Sequence, residues 1–160
     1  NIPNQLYTFE QQGMNKAHAL ESSIKAYKYQ TQHTNFYPYK WDAEASYITI
    51  SAVDSMKARK EIWESLKKNE DWKLYIDARM GGELMRIYSI THDDIDFYEQ
   101  TLYGDPDEIP CTARAILYNI FVISGLIGLE MAKFLRNETV QKELIFDLKN
   151  TEFLKVDSNN

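Results

Sequence analysis

The chain has 160 residues, a net charge of -6 and 44% apolar residues, which fits one globular domain or a domain with an appendage. It contains no block of lysine or arginine, so nucleic-acid binding is disfavoured because neutralising phosphates needs a basic face. Its one cysteine, Cys111, excludes an intrachain disulfide and fits a reducing compartment. We expect a soluble, cytoplasmic protein, although the missing initiator methionine leaves a removed N-terminal segment as an alternative.

The first fifty residues predict a strand, a helix and two further strands. A short strand is expected over residues 4–13 and a helix over residues 14–32, where apolar residues recur at helical spacing. The aromatic segment 36–41 contains a proline and suggests an edge strand. Strict alternation with β-branched residues over residues 46–52 predicts a half-buried strand.

A helix follows at residues 56–69, because Asp54 and Ser55 are good N-cap residues. Its inner stripe comprises Arg59, Ile62, Trp63 and Leu66. Residues 70–80 are expected to extend or restart this helix, and Gly81-Gly82 to end it. Residues 83–91 fit a strand or a helix.

The remainder predicts helices. Thr91 and Asp94 form a capping-box pattern that begins one helix, and residues 105–110 are an acidic, proline-containing linker. Three further helices are expected at residues 111–124, 126–136 and 138–149. The apolar run 116–129 is fourteen residues long, against roughly 20 for a bilayer span. It therefore predicts a buried helix broken near Gly125, and no membrane span.

The order over residues 5–91 is strand, helix, strand, strand, helix, strand, a ferredoxin-like split βαβ arrangement. This part resembles the dimeric α+β barrel superfamily, including its antibiotic-biosynthesis-monooxygenase and NIPSNAP-like members. The resemblance rests on a hydrophobic strand, the turn Asp54-Ser55, Arg59 near the helix start and Trp72 near its end. It implies an α+β fold and a homodimer.

Two domain assignments follow from these patterns. Residues 1–104 would form the ferredoxin-like domain, and residues 105–160 a helical C-terminal extension that packs on it. The alternative is a mostly α-helical protein, if residues 83–91 are helical.

No catalytic constellation emerges from the sequence, and enzyme activity stays uncertain. The acidic cluster at residues 92–96 is composed like a metal site, but acids in a first helical turn are expected from the helix dipole alone. His18 reads as a partly buried packing residue, and Cys111 has no identified partner base. We expect no metal and no cofactor.

Aromatic residues offer the one candidate ligand site. Tyr39, Trp41, Trp63 and Trp72 could wall a pocket for a small apolar ligand between sheet and helices, and core packing is the competing interpretation. We expect a small-ligand-binding or weakly enzymatic α+β barrel domain that acts as a homodimer. The alternative is a non-catalytic helical module for interaction or regulation.

Overall fold

The computed structural model describes the chain in three stretches, residues 7–26, 46–103 and 117–157. They belong to two compact units, residues 1–42 and residues 43–160. The predicted edge strand at residues 36–41 lies outside the described residues.

In the first unit, a 3₁₀ turn at Phe9–Gln11 precedes helix α1 at Lys16–Ala26. The side-chain oxygen of Gln11 accepts a hydrogen bond of 2.9 Å from the Thr8 N–H and closes the turn. The strand predicted over residues 4–13 is therefore wrong for its described part, whereas the helix is confirmed within its described residues.

The second unit contains a five-stranded mixed sheet with three helices among its described residues. The strands are β1 (Ile48–Ser51), β2 (Leu74–Gly81), β3 (Leu84–Ile90), β4 (Gln141–Asp147) and β5 (Glu152–Asp157). The helices are α2 (Met56–Leu66), α3 (Ile95–Tyr103) and α4 (Leu117–Leu135).

Strand order in the open sheet follows chain order, β1-β2-β3-β4-β5. β1 pairs in parallel with β2, as the α2 crossover requires, and the other neighbours are antiparallel. The α+β class is confirmed, and the mostly helical alternative is wrong for the described part of the chain.

The predicted strand at residues 46–52 and the helix after it are confirmed. Ser55 is the N-cap of α2, and its hydroxyl accepts a hydrogen bond from the Ala58 N–H. The predicted inner stripe, Arg59, Ile62, Trp63 and Leu66, is the buried set of this helix.

Residues 74–81 form strand β2, so the predicted extension of the helix is wrong there. Both faces of this interior strand are covered, and its residues from Leu74 to Ala78 are all buried. A strand buried on both faces lacks the polar alternation that marks a half-buried strand. Gly82, at φ 60°, opens the two-residue turn to β3, because glycine adopts positive φ without steric cost. Residues 84–90 are thus a strand.

The predicted helix start at Thr91 is confirmed. The Asp94 carboxylate accepts hydrogen bonds from the Thr91 hydroxyl at 2.8 Å and from the Thr91 N–H at 3.4 Å. A short 3₁₀ turn at His92–Asp94 then leads into α3.

The C-terminal region differs from the prediction of three helices. α4 runs unbroken through Gly125, and Asn137 at φ 57° lies just beyond its end, a position typical of a helix C-cap. The helix predicted over residues 138–149 is wrong, because residues 141–147 form β4. Apolar residues at positions 140, 144, 145 and 148 fit helical spacing by coincidence.

Helices cover both faces of the sheet. Ile123 of α4 joins a core cluster with Leu74, Ile76, Ile87 and Leu144, whereas α2 and α3 pack on the opposite face. The C-terminal region therefore contributes to the subunit core, as its apolar content predicted. Because β4 pairs with β3, the sheet takes strands from both sides of the predicted boundary at residue 104, and the boundary itself stays a prediction.

Candidate functional site

A buried carboxylate, Asp77, lies between the sheet and the α2/α3 layer. Its Oδ1 accepts a hydrogen bond from Arg59 Nε at 3.1 Å. Its Oδ2 accepts from Arg79 Nε at 2.7 Å and from the Tyr98 hydroxyl at 2.9 Å. Asp77 is fully buried, so these donors replace the water that the charge would otherwise bind. We call Asp77, Arg59, Arg79 and Tyr98 the Asp77 network.

Three elements position this network. Asp77 and Arg79 are two residues apart on β2 and therefore point to the same face of the sheet. Arg59 projects from α2 one turn after the Ser55 cap, and Tyr98 projects from α3. The network therefore links both helices to β2.

The two guanidinium groups also bind backbone and side-chain oxygens. Arg59 Nη2 donates to the carbonyl oxygen of Val53 and, at 3.5 Å, to that of Ala78. Arg79 Nη2 donates to Thr101 Oγ1 at 2.9 Å, and its guanidinium carbon lies 4.4 Å from the ring centroid of Tyr88, a cation–π distance. These contacts distribute two positive charges around one negative charge.

Burial and charge change the acidity of the neighbouring groups. Burial raises the pKa of Tyr75 to about 12, and the negative charge of Asp77 adds to the rise. The same two causes, in the same order, raise the pKa of Tyr98. Burial alone would lower the pKa of Arg79, but attraction to Asp77 outweighs it, so the pKa is raised. All these groups therefore keep their ordinary charges at neutral pH.

The Asp77 network is built for stability rather than for proton transfer. Both carboxylate oxygens already accept hydrogen bonds, and a general base needs an oxygen that can reach a substrate proton. The other buried acids in the described part of the chain are paired as well, Glu130 with Lys133 at 2.5 Å and Asp94 with Lys142 at 3.0 Å. We assign these pairs a structural role.

Trp63 and Trp72, two of the predicted ligand-site residues, lie in an aromatic cluster beside this network. Their exposed fractions are 0% and 1%. The Trp63 ring centroid is 5.9 Å from that of Trp72 and 4.7 Å from that of Tyr98, and Trp63 Nε1 donates to Glu99 Oε1. Tyr39 and Trp41 lie outside the described residues, so the pocket of four aromatic residues stays a prediction.

The histidines that the sequence singled out contact neighbouring side chains and backbone. His92 stacks on Trp72 with ring centroids 4.1 Å apart, and its Nε2 lies 2.8 Å from the Trp72 carbonyl oxygen. His18 is exposed and 3.9 Å from Glu21, so its predicted packing role is wrong. Within the three described stretches, no group of three histidine, cysteine or acidic residues could hold a metal ion. Cys111 lies outside the described residues.

The second notable feature is the outer face of α4, the side turned away from the sheet. Helical geometry places nine residues there, of which eight are apolar or small and one, the exposed Ser124, is polar: Leu117, Tyr118, Phe121, Ser124, Gly125, Gly128, Leu129, Ala132 and Leu135. Its five large side chains are between 42% and 62% exposed. A Cβ atom added to Gly125 or Gly128 would have no neighbour within 4 Å. The face is therefore largely apolar and exposed, and the two glycines leave it without side chains near its centre.

The only charged residues of α4 do not lie on this face. Glu130 is fully buried, and its Oε2 accepts a hydrogen bond of 2.7 Å from the Gln141 N–H. Lys133 binds the same carboxylate. The outer face is therefore uncharged over 19 residues, or about 28 Å of helix.

By length and composition alone, α4 is the one described helix that could cross a membrane. At 19 residues, α4 is longer than the fourteen-residue apolar run and close to the roughly 20 residues of a bilayer span, so its length does not exclude a span.

Sequence reasoning missed the charged members of the site on β2. Asp77 and Arg79 were assigned to a continuing helix because Trp72, Tyr75 and Ile76 fall on one side at helical spacing. Arg59 and Trp63 were correctly placed on the inner side of α2 because the helical stripe identified them.

Comparisons with protein-family models and with curated proteins found no match to this sequence. The α+β class implied by the resemblance is confirmed, and membership in the dimeric α+β barrel superfamily stays a prediction.

Proposed function

We propose that this chain is a non-catalytic interaction module that forms a homodimer through the outer face of α4. The observation that carries the proposal is the exposure of Leu117, Tyr118, Phe121, Leu129 and Leu135 on one uncharged helical face. A solvated helix normally places charged and polar residues on its outer side, and contiguous exposed apolar patches mark interaction surfaces.

The pattern of side-chain sizes on this face suits a second copy. Phe121 lies four residues before Gly125 and Leu129 four residues after it. If two α4 helices cross antiparallel with a two-fold axis at Gly125, Phe121 meets the partner subunit's Leu129. Tyr118 then meets the partner subunit's Ala132, which lies equally far on the other side of Gly125. A two-fold interface must be self-complementary in this way, and glycine at the crossing point lets the helices approach closely.

This arrangement changes the predicted place of the interface but keeps the predicted dimer. The ferredoxin-like interpretation places the dimer contact on an uncovered face of the sheet. In this chain, α4 covers that face with Val122, Leu126 and Met131, so the next apolar surface outward is α4 itself.

Packing of α4 on the sheet favours a protein partner over a transmembrane position. Insertion into a bilayer would strip α4 from the core cluster and would place Glu130 in hydrocarbon, where an acidic side chain costs several kcal/mol. The same helix would also lose the hydrogen bond from Asn119 to the Gly82 carbonyl oxygen.

Light scattering after size-exclusion chromatography tests the proposal. We expect the wild type to have the mass of a dimer at micromolar concentration and the variant Phe121→Glu to be a folded monomer. Phe9→Glu is the matched control, because Phe9 is 77% exposed in the other unit, and it should remain dimeric. A monomeric wild type would overturn the proposal, and cosedimentation with neutral vesicles that Phe121→Glu abolishes would assign the face to lipid instead.

A further inference from the structure

The two ends of the outer face of α4 carry opposite charges. The turn between β2 and β3 lies at the N-terminal end, because Asn119 donates a hydrogen bond to the Gly82 carbonyl oxygen. In this turn, Glu83 Oε1 accepts a hydrogen bond of 2.6 Å from the Tyr118 hydroxyl. At the other end, Arg136 directly follows the last residue of α4, and its side chain is 57% exposed. The uncharged face therefore lies between an acidic end and a basic end.

Helical geometry places Arg136 in line with this face. Its N–H donates to the Ala132 carbonyl oxygen at 3.1 Å, so helical hydrogen bonding continues to this residue. A helix turns by about 100° per residue. Tyr118, seven residues before Gly125, and Arg136, eleven residues after it, therefore both lie within about 20° of the direction of Gly125. The line through Gly125 thus runs from the Tyr118–Glu83 contact to Arg136.

Both charged groups retain hydrogen-bonding capacity for a partner. Among the described residues, Tyr118 is the only donor to the Glu83 carboxylate, which has no ion pair there. Arg136 donates to Glu138 through Nε at 2.7 Å and through Nη2 at 3.0 Å. A guanidinium has five N–H donors, so Nη1 remains for a second carboxylate.

We propose that Glu83 of one subunit pairs with Arg136 of the partner subunit at each end of the α4 interface, and that these two ion pairs set the helices antiparallel. This inference rests on the proposed homodimer. A two-fold axis at Gly125 brings the N-terminal end of each outer face to the C-terminal end of the other, so each acidic end meets a basic end. A parallel arrangement would bring like charges together. Ion pairs beside an apolar helix seam select partner and orientation in this way.

Charge reversal at the two positions tests this pairing. Glu83→Arg and Arg136→Glu each place like charges opposite one another, and the two-fold axis repeats the contact. We therefore expect each variant to weaken dimerisation by about tenfold, equivalent to about 1.4 kcal/mol. The double variant should dimerise like the wild type, because its opposed charges are again unlike. An equimolar mixture of the two single variants should form a heterodimer that is tighter than either homodimer.

Recovery in the double variant distinguishes a contact between subunits from a change within one. The two positions lie at opposite ends of a helix of 19 residues, about 28 Å long, so they cannot contact each other in one subunit. Arg136→Glu therefore cannot replace the Tyr118 hydrogen bond that Glu83→Arg removes. Glu61→Arg and Lys57→Glu are matched controls, because these residues form an exposed pair on α2, and both should dimerise like the wild type.

Sedimentation equilibrium of the full chain measures the dissociation constants at low salt and at about 1 M salt, where the Debye length falls to about 3 Å. High salt should reduce the difference between the wild type and the single variants. Single variants that dimerise like the wild type, or a double variant no tighter than they are, would overturn the ion pairs and leave the α4 dimer in place. A monomeric wild type would overturn both the ion pairs and the proposed function. Circular dichroism establishes that each variant is folded.

Discussion

The helices on the two sides of the sheet are held by different kinds of contact. On the α2/α3 side, charged and aromatic groups hold the helices in place through directional contacts such as Arg59–Asp77 and Tyr98–Asp77. On the α4 side, contact with the sheet is mainly apolar, with two polar exceptions at Asn119–Gly82 and Glu130–Gln141, and the outer face of the helix is left open. The polar groups of the Asp77 network are paired within the subunit, whereas the outer face of α4 is exposed and apolar.

This difference separates groups that stabilise the fold from surfaces that could bind another molecule. A buried charge with all its partners present contributes to a unique packing arrangement but offers nothing to a substrate. An exposed apolar face contributes little to the stability of its own subunit and promotes association with other molecules. Substitutions on the two sides should therefore separate stability from assembly.

The largest expected effect comes from truncating Trp63 on the α2/α3 side. Trp63→Ala removes a fully buried ring that contacts Trp72, Tyr75 and Tyr98, and it should lower the free energy of unfolding by about 3–5 kcal/mol. Urea denaturation measures the loss. Both changes are made in the monomeric Phe121→Glu variant, so that loss of the dimer contact does not contribute. There Tyr118→Ala, which removes an exposed side chain from the outer face of α4, is the control and should change stability little. Equal losses in both variants would contradict the comparison.

Removing the charge of Asp77 should be nearly as severe. Asp77→Asn leaves Arg59 and Arg79 buried without a counter-charge, and we expect a loss of about 3 kcal/mol. Chemical denaturation at pH 7 provides the measurement, with Asp71→Ala as an exposed control. A stable Asp77→Asn variant would show that the network does not hold α2 and α3 on the sheet.

Alkaline pH should weaken the same side. Because burial raises the pKa of Tyr75 to about 12 from 10.0, the unfolded chain loses this proton first as the pH rises. The stabilisation is fully present below about pH 10 and is lost between about pH 10 and 12, by up to about 3 kcal/mol. Denaturation across this range should show a smaller decline in Tyr75→Phe than in the wild type, whereas Tyr47→Phe, at a site 59% exposed, should decline like the wild type.

A small effect of opposite sign is expected on α4. Gly125→Ala places a methyl group in open space and raises helix propensity, so it should stabilise a monomeric protein by about 0.5–1 kcal/mol. Thermal unfolding of Phe121→Glu with and without this second change isolates the effect from dimerisation. A destabilised double variant would indicate that the outer face of α4 is packed within the subunit.

Elements with local sequence signals were predicted correctly. The alternation over residues 46–52, the Ser55 cap and the Thr91–Asp94 capping box each act over a few residues, and each is confirmed. The buried stripe of α2 was equally readable, because helical spacing brings Arg59 and Trp63 to one side.

Elements whose form depends on distant contacts were predicted wrongly. β2 is buried on both faces by helices from other segments of the chain, as far away as α4 at Leu117–Leu135, and nothing local shows that Asp77 will meet Arg59. β4 is a strand because β3 and β5 flank it. α4 continues through Gly125 because its inner side chains pack on the sheet, which offsets the cost of about 1 kcal/mol for a helical glycine.

Disulfide trapping at Gly125 tests the proposed α4 interface most directly. In a chain carrying Cys111→Ser, the change Gly125→Cys places one thiol at the proposed two-fold axis, and Glu61→Cys places one on an exposed part of α2 as a control. A disulfide requires Cα atoms within about 7 Å, so mild oxidation should yield a reducible dimer of the Gly125→Cys protein within the time that leaves the Glu61→Cys protein monomeric. Equal and slow cross-linking of the two proteins would contradict assembly through α4.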